Sequence, residues 1–242
     1  MRDLFLIGIG TGNPDHVTRE AQNALRQAVA VLVPRKGPDK SDLAELRLQI
    51  LADAKATAKI IPFEYPVRDP DLPYQERVEA WHDDIATRWS AALEDAPDGP
   101  VALLVWGDPA LYDSTIRIAE RLADLSIRVI PGITSIQALA AAHSLPLSTV
   151  GGGFSVTTGR VLRASGWPDG VETLVVMLDG DCAFQDLAGD GYDIWWGAFL
   201  GMEEQLLIAG PLEQVATQIV AERAEARAEH GWIMDTYILR RR

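Results

Sequence analysis

The first half of the chain alternates short apolar runs with longer segments in which apolar residues recur every three or four positions. Short apolar runs are typical of strands buried on both faces, and the longer spacing is typical of amphipathic helices. The pattern predicts strands over residues 3–9, 29–33, 59–62, 101–106 and 128–130, and helices over residues 18–28, 41–54, 74–93 and 114–124. Alternating elements of this kind predict an α/β domain with a mostly parallel sheet, ending near Pro131.

Strands outnumber helices in the second half. After a predicted helix over residues 135–143, apolar runs predict strands over 154–157, 173–178, 192–198 and 205–209, then a helix over 212–229 and a strand over 232–239. Strands that follow one another without helices between them favour a mixed sheet. We therefore predict two α/β domains, residues 1–131 and 132–242, with the mixed sheet in the second.

Composition and charge exclude several classes of function. With 48% hydrophobic and 24% charged residues the chain is typical of globular proteins, and no apolar stretch approaches the roughly 20 residues that span a membrane. It begins with a strand, not with a basic and then an apolar signal segment, so we expect a cytoplasmic protein with no membrane partner. The net charge of -13 argues against a nucleic-acid partner, which requires a basic surface.

The cysteine and histidine content predicts neither a disulfide nor a metal site. Cys182 is the single cysteine and cannot form an intramolecular disulfide. No signature of a nucleophilic thiol surrounds it, so we interpret it as a small buried residue. No cysteines or histidines have the spacing of metal ligands, so we predict no metal.

Three glycine-bearing turns follow apolar runs, at residues 8–13, 107–109 and 131–135. Glycine at a strand end lets a ligand approach the backbone closely, and ligands of open α/β sheets bind outside the carboxyl ends of the strands. The turns therefore predict an enzyme whose cleft is built from several loops. The proline-broken segment 64–74 is either a loop that covers the ligand or an irregular surface segment.

The first turn partly matches a dinucleotide-binding fingerprint. That fingerprint requires a third glycine where this chain has Asn13, and an acidic residue after the next strand, where this chain has Arg35 and Lys36. A basic pair suits a 2′-phosphate, so an NADP-binding oxidoreductase remains an alternative.

Four segments in order resemble the tetrapyrrole methylases of cobalamin and sirohaem biosynthesis: GIGTGNPDHVT, WGDPALYDST, IPGITSIQALAAAHSLPL and TLVVMLDG. The segments TTGR, GWP and HGWIMDTYILRR are most similar to those of the family members that methylate C1 of precorrin-5 and release acetate. The resemblance implies a homodimeric α/β methyltransferase with two domains and a trough between them for S-adenosylmethionine. One alternative is another precorrin methyltransferase of the same family, which acts at a different ring carbon. A non-catalytic carrier of a tetrapyrrole or nucleotide is a further alternative.

The resemblance also transfers the cofactor contacts to positions of this chain. They are Thr11, Trp106, Gly107, Asp108, Leu111, Thr134, Ser135, Leu178, Gly201 and Met202. The chain departs from the family at Thr11-Gly12-Asn13, where GPGD is usual, at Leu178, where Met is usual, and at Met202, where Thr is common. Backbone groups around Gly107, Ser135 and Gly201 can bind a cofactor whatever the neighbouring side chains are.

Methyl transfer from a sulfonium requires mainly alignment and exclusion of water, whereas loss of an acetyl group requires a general acid or base. Tyr112 and Asp113 are the first candidates for that role, followed by Asp179, His82 and Glu64. The alternative role of Asp113 is a helix cap, and that of His82 is packing. A precorrin carries many carboxylates, so we expect a basic wall formed by Arg68, Arg77, Arg160 and Arg163.

Overall fold

The structure, a computed structural model, describes residues 1–35, 41–187 and 191–242, with side chains of the second helix described from Glu45 onward. The chain divides into two compact units, Met1–Thr134 and Ser135–Arg242. The boundary expected after Pro131 falls just before this division. Lys36, one half of the basic pair considered for a 2′-phosphate, lies outside the described residues.

The first unit contains a five-stranded parallel sheet. Its strands are β1 (Arg2–Gly8), β2 (Ala30–Arg35), β3 (Lys59–Glu64), β4 (Val101–Val105) and β5 (Leu125–Ile130), in the order β3-β2-β4-β1-β5. The helices between them are α1 (Arg19–Gln27), α2 (Ser41–Asp53), α3 (Tyr74–Glu94) and α4 (Thr115–Ala119). The predicted parallel sheet is confirmed.

Helices cover both faces of this sheet. Phe5 and Ile7 of β1 lie in one hydrophobic cluster with residues of α1 and α2. Leu4 and Leu6 lie in a second cluster with residues of α3 and α4. Successive side chains of a strand point to opposite faces, so a strand covered on both sides must be apolar throughout. That is why β1 reads as a continuous apolar run.

Helix α4 is shorter than the sequence predicted. It ends at Ala119 instead of reaching residue 124, because the next amides bond three residues back: Arg121 N donates to Ile118 O at 3.1 Å and Leu122 N to Ala119 O at 3.0 Å. Strand β5 then begins at Leu125, which pairs with Arg2 of β1. Residues 125–127, which the sequence pattern did not assign to a strand, therefore pair with β1, and β5 begins at Leu125 instead of at Arg128.

The second unit has a mixed sheet, as predicted. It comprises α5 (Ser135–Ala142), β6 (Phe154–Thr158), α6 (Gly159–Ser165), β7 (Thr173–Met177), β8 (Tyr192–Ala198), β9 (Leu206–Pro211), α7 (Leu212–His230) and β10 (Asp235–Arg241). The order is β6-β7-β10-β8-β9, with β6 and β7 parallel and the other neighbours antiparallel. Helix α6 was not predicted. Thr158 caps it, since its Oγ1 accepts from Val161 N at 3.4 Å.

None of the helices in the described ranges combines the length and the apolar character that crossing a membrane requires.

Candidate active site

The carboxyl ends of β1 and β4 lie where the connections of the parallel sheet switch from one face to the other. These strands are neighbours, yet α1, which follows β1, packs on one face of the sheet and α4, which follows β4, packs on the other. Loops that leave adjacent strands towards opposite faces leave a crevice outside the strand ends, where ligands of doubly wound sheets bind. The fold therefore places its candidate site among the loops after β1 and β4.

The loops after β1 and β4 are hydrogen-bonded to each other. Gly107 N donates to Gly10 O at 2.8 Å, and Gly10 N donates to Gly107 O at 3.3 Å. The φ angles are +77° at Gly10 and +62° at Gly107, in the left-handed region that favours glycine. The two glycines are needed for this backbone contact.

Asp108, in the loop after β4, connects that loop to the loop after β5. The Oδ2 of Asp108 accepts from Gly132 N at 2.9 Å, and its Oδ1 accepts from Ala110 N at 2.8 Å. The approach is so close that a Cβ added to Gly132 would lie 2.0 Å from Gly107 O, and one added to Gly8 would lie 2.6 Å from Gly132 N. The three glycine turns singled out in the sequence thus meet within the first unit.

Three polar atoms around these loops are buried without a hydrogen-bond partner among the described residues: Thr11 Oγ1, His16 Nδ1 and Trp106 Nε1. A buried polar group left unpaired costs about 1–3 kcal/mol, so a cluster of them at a strand-end crevice indicates that a ligand supplies the partners. Thr11 and Trp106 were predicted as cofactor contacts. His16, which lies three residues after the glycine turn 8–13, was missed.

A buried arginine also lies beside this site. The guanidinium carbon of Arg47, on α2, is 5.4 Å from the centroid of the Trp106 ring. Burial lowers the pKa of Arg47. Burial also raises the pKa of Tyr65 to about 12, with the charge of Asp113 adding to the effect and that of Arg47 opposing it. The sequence signal for Arg47 is its spacing: it is three residues before buried Ile50, on the apolar face of α2.

The segment between β3 and α3 is held by packing and by backbone acceptors. The guanidinium carbon of Arg68 is 4.1 Å from the centroid of the Trp81 ring, and Trp81 Nε1 donates to Pro66 O at 2.9 Å. Arg77 donates to the carbonyl of Leu72 from Nε at 3.1 Å and from Nη2 at 2.8 Å. Two of the four arginines predicted for the substrate therefore stabilise this segment.

The other two arginines lie on α6, in the second unit. Arg163 pairs with Asp181 (Nη1 to Oδ2, 2.9 Å) and with Asp186 (Nε to Oδ2, 3.0 Å). Arg160 is exposed to solvent. The charge of Arg163 is thus compensated by two carboxylates of its own unit, which makes it a weaker candidate for binding an anionic substrate.

The acid-base candidates of the first unit differ in environment. Tyr112 is 44% exposed, with a φ of +50°, whereas His82 is 2% exposed and packs in the core. Asp113 lies one residue before Ser114, the N-cap of α4, and its Oδ1 accepts from Thr115 N at 2.6 Å as in an Asx turn, so it holds the start of the helix without being the cap residue. Glu64 is exposed at the end of β3.

Leu178 occupies an unusual position in the second unit. It follows β7 with a φ of +51° and is 64% exposed, although it is a large apolar residue. Asp179 secures the turn: its Oδ2 accepts from Ala183 N and from Tyr237 Oη, each at 2.6 Å, and its Oδ1 accepts from Asp181 N at 3.1 Å. Strained backbone held by its surroundings is typical of ligand sites. The three donors favour a structural role for Asp179 over proton transfer.

The predicted cofactor contacts divide between the two units. Thr11, Trp106, Gly107, Asp108, Leu111 and Thr134 belong to the first, and Ser135, Leu178, Gly201 and Met202 belong to the second. Gly201, with a φ of +82°, lies in the turn between β8 and β9, and its N–H donates to Gln205 Oε1 at 2.9 Å. In the described part of the chain, no group of three or more His, Cys, Asp or Glu side chains could hold a metal ion.

Known proteins resemble this chain over almost its whole length. The family of tetrapyrrole (corrin/porphyrin) methylases matches residues 3–216. The chain belongs to this family. Among curated relatives of this tetrapyrrole methylase is the deacetylating precorrin-6A synthase of Sinorhizobium sp., 45% identical over 251 residues, with 100% of the chain and 96% of the relative covered.

Solved structures agree with this assignment. The crystal structure of a cobalamin synthesis related protein (CobF) from Corynebacterium diphtheriae has a TM-score of 0.86 and 40% identity to this tetrapyrrole methylase, covering 100% of this chain and 99% of that one. A uroporphyrin-III C-methyltransferase from Thermus thermophilus, complexed with S-adenyl homocysteine, has a TM-score of 0.61 and 22% identity over 99% of this chain and 92% of that one. The fold predicted from the sequence is thereby confirmed.

Proposed function

We propose that this tetrapyrrole methylase transfers the methyl group of S-adenosylmethionine to C1 of precorrin-5 and releases acetate, giving precorrin-6A in corrin-ring biosynthesis. The observation that carries the proposal is the 45% identity, over the full chain, to a deacetylating precorrin-6A synthase. The site supports it independently, because polar atoms without partners among the described residues surround loops that meet at the carboxyl edge of a parallel sheet.

The proposed cofactor contacts in each unit are those carried over from the family resemblance. In the first unit, Trp106, Gly107 and Thr134 offer an indole and backbone groups close to the strand ends. In the second, exposed Leu178 offers an apolar contact and Gly201 offers backbone groups. When bound, S-adenosylmethionine supplies an electrophilic methyl group on sulfur. The protein then needs only to align the acceptor carbon and exclude water, so no covalent nucleophile is required.

Precorrin carboxylates need cationic partners, and the chain as a whole is acidic. We propose that Arg160, which is exposed, and Arg47, which is buried beside Trp106, supply them, with Arg68, Arg77 and Arg163 as the other sequence-based candidates. Tyr112 and Asp113 are the acid-base candidates from the sequence, and Asp113 already accepts a backbone N–H from Thr115. Of these, Tyr112 has the more open side chain.

Calorimetry and a turnover assay test the proposal. The protein should bind S-adenosylmethionine and S-adenosylhomocysteine but not NADPH. Incubation with precorrin-5 and S-adenosylmethionine should yield equal amounts of S-adenosylhomocysteine, acetate and a product with one methyl group in place of one acetyl group. Binding of NADPH would favour an oxidoreductase, and binding without turnover would favour a carrier.

We also propose that the enzyme is a homodimer, as the family resemblance implies, and that it is cytoplasmic, as the sequence pattern suggests. Analytical ultracentrifugation of the full chain should give a species of twice the monomer mass of 26.4 kDa. A monomer at micromolar concentration would contradict the dimer.

A further inference from the structure

Acetate release requires a group that accepts a proton from water, and the structure offers one at the candidate site. Asp108 and Asp113 accept hydrogen bonds from backbone N–H groups near the strand ends. His16, in contrast, has a buried Nδ1 without a partner in the described residues. We infer that His16 is the general base that activates water for removal of the acetyl group. This inference rests on the proposed function.

The position of His16 is fixed by the glycine turn. It ends a short 3-10 turn, Pro14–His16, in which His16 N donates to Asn13 O at 2.9 Å and Asn13 Oδ1 accepts from Asp15 N at 2.9 Å. A Cβ added to Gly10 would lie 3.1 Å from His16 Cβ. Gly10 is itself hydrogen-bonded to Gly107, so His16 lies beside the paired loops after β1 and β4.

The proposed step balances in atoms and electrons. Water gives one proton to Nδ1 of the neutral imidazole, in the tautomer that carries its proton on Nε2. Its oxygen bonds to the acetyl carbonyl carbon, and the bond between that carbon and C1 breaks with its electron pair on C1. This pair forms the new bond to the methyl carbon, while sulfur keeps the pair of the broken carbon–sulfur bond. The products are acetate, S-adenosylhomocysteine, the methylated ring and two protons.

The other three of the four histidines have surroundings of their own, so an effect on an imidazole can be assigned to one residue. His82 is buried in the core on α3, His143 Nε2 lies 3.0 Å from Trp196 O, and the ring of His230 packs edge-on to Phe199 at 5.0 Å. His230, in the last turn of α7, therefore provides a matched control.

The test compares His16→Asn and His16→Ala with His230→Asn in single turnovers of precorrin-5. Asn retains a hydrogen-bonding atom near the position of Nδ1 but is not a base. Positioned general bases contribute about 10²–10⁴-fold, so His16→Asn should slow acetate release at least about 100-fold. The Kd for S-adenosylmethionine should stay within about twofold, and His230→Asn should match the wild type. Added imidazole should accelerate His16→Ala, which has lost the ring.

Three results would overturn the inference: acetate release from His16→Asn within about threefold of wild type, a slowing matched by an equal loss of cofactor affinity, or no response of His16→Ala to imidazole. If instead the wild type neither binds S-adenosylmethionine nor converts precorrin-5, the proposed function itself fails. The wild-type assay therefore separates the two failures.

Discussion

Gly132→Ala tests whether the loops after β1, β4 and β5 must touch. A Cβ at this position would lie 2.0 Å from Gly107 O and 2.8 Å from the Cα of Gly8. Non-bonded atoms pack best at about 3.5–4.0 Å, so the backbone would have to open by roughly 1 Å or more. Opening would also stretch the hydrogen bond from Gly132 N to Asp108 Oδ2, now 2.9 Å.

The expected cost combines two effects. Overpacking costs about 1–3 kcal/mol, and a hydrogen bond to a charged group contributes about 1.5–3 kcal/mol. The two overlap, so we expect a loss of about 3 kcal/mol in the free energy of unfolding. For a chain of this size that lowers Tm by about 6–12 °C. Because the loops line the candidate site, the affinity for S-adenosylmethionine should fall at least about tenfold.

Thermal denaturation and calorimetry measure both effects, with Gly153→Ala as the control. Gly153 has ordinary φ, and apart from its chain neighbours no heavy atom of the described residues lies within 4 Å of an added Cβ. That variant should change stability by no more than about 0.5 kcal/mol. If Gly132→Ala melts and binds like the wild type, the close approach of the three loops is wrong.

The remaining predictions concern buried polar groups. Arg223→Met leaves the carboxylate of Asp235, now 2.9 Å from Arg223 Nε, buried without its cation, and should cost about 3 kcal/mol in urea denaturation. Tyr237→Phe removes one donor to Asp179 and should cost about 1–2 kcal/mol by the same method; no change in either variant would contradict the described network. Burial lowers the pKa of His82, so the unfolded chain takes up a proton there as the pH falls below about 6.5 while the folded protein does not. Stability should therefore be retained above that pH and decline below it by at most about 1.4 kcal/mol per pH unit, and His82→Leu should reduce the decline.

Most strands were predictable from the sequence because burial on both faces requires a continuous run of apolar residues. Strand β1 is covered on both faces from Leu4 onward and is an unbroken apolar run there, and β8 (Tyr192–Ala198) was predicted with its observed bounds. The order of the strands was not predictable from the pattern. Strand β1 lies between β4 and β5, neither of which is next to it in the chain.

Sequence reasoning missed Arg47 and His16 because their roles depend on tertiary contacts and not on a local motif. Arg47 lies within a leucine-rich helix, where a single cation is usually solvated, so its three-residue spacing from Ile50 was too weak a signal to predict its burial. His16 carries no motif of its own. Its importance depends on the contact between Gly10 and Gly107, which joins distant positions of the chain and leaves no local signal.

Hydrogen bonds from backbone N–H groups to Asn and Asp side chains stabilise loops in both units. An Asn or Asp soon after a strand accepts from the backbone N–H two residues further on: Asn13 from Asp15 after β1, Asp108 from Ala110 after β4, and Asp179 from Asp181 after β7. Such Asx turns fix a loop without neighbouring secondary structure. The two carboxylates each accept a second backbone N–H as well, from Gly132 and from Ala183. The acidic residues nearest these strand ends thus determine loop shape, which supports the proposal that proton transfer falls to a side chain such as His16, whose Nδ1 does not already bond the backbone.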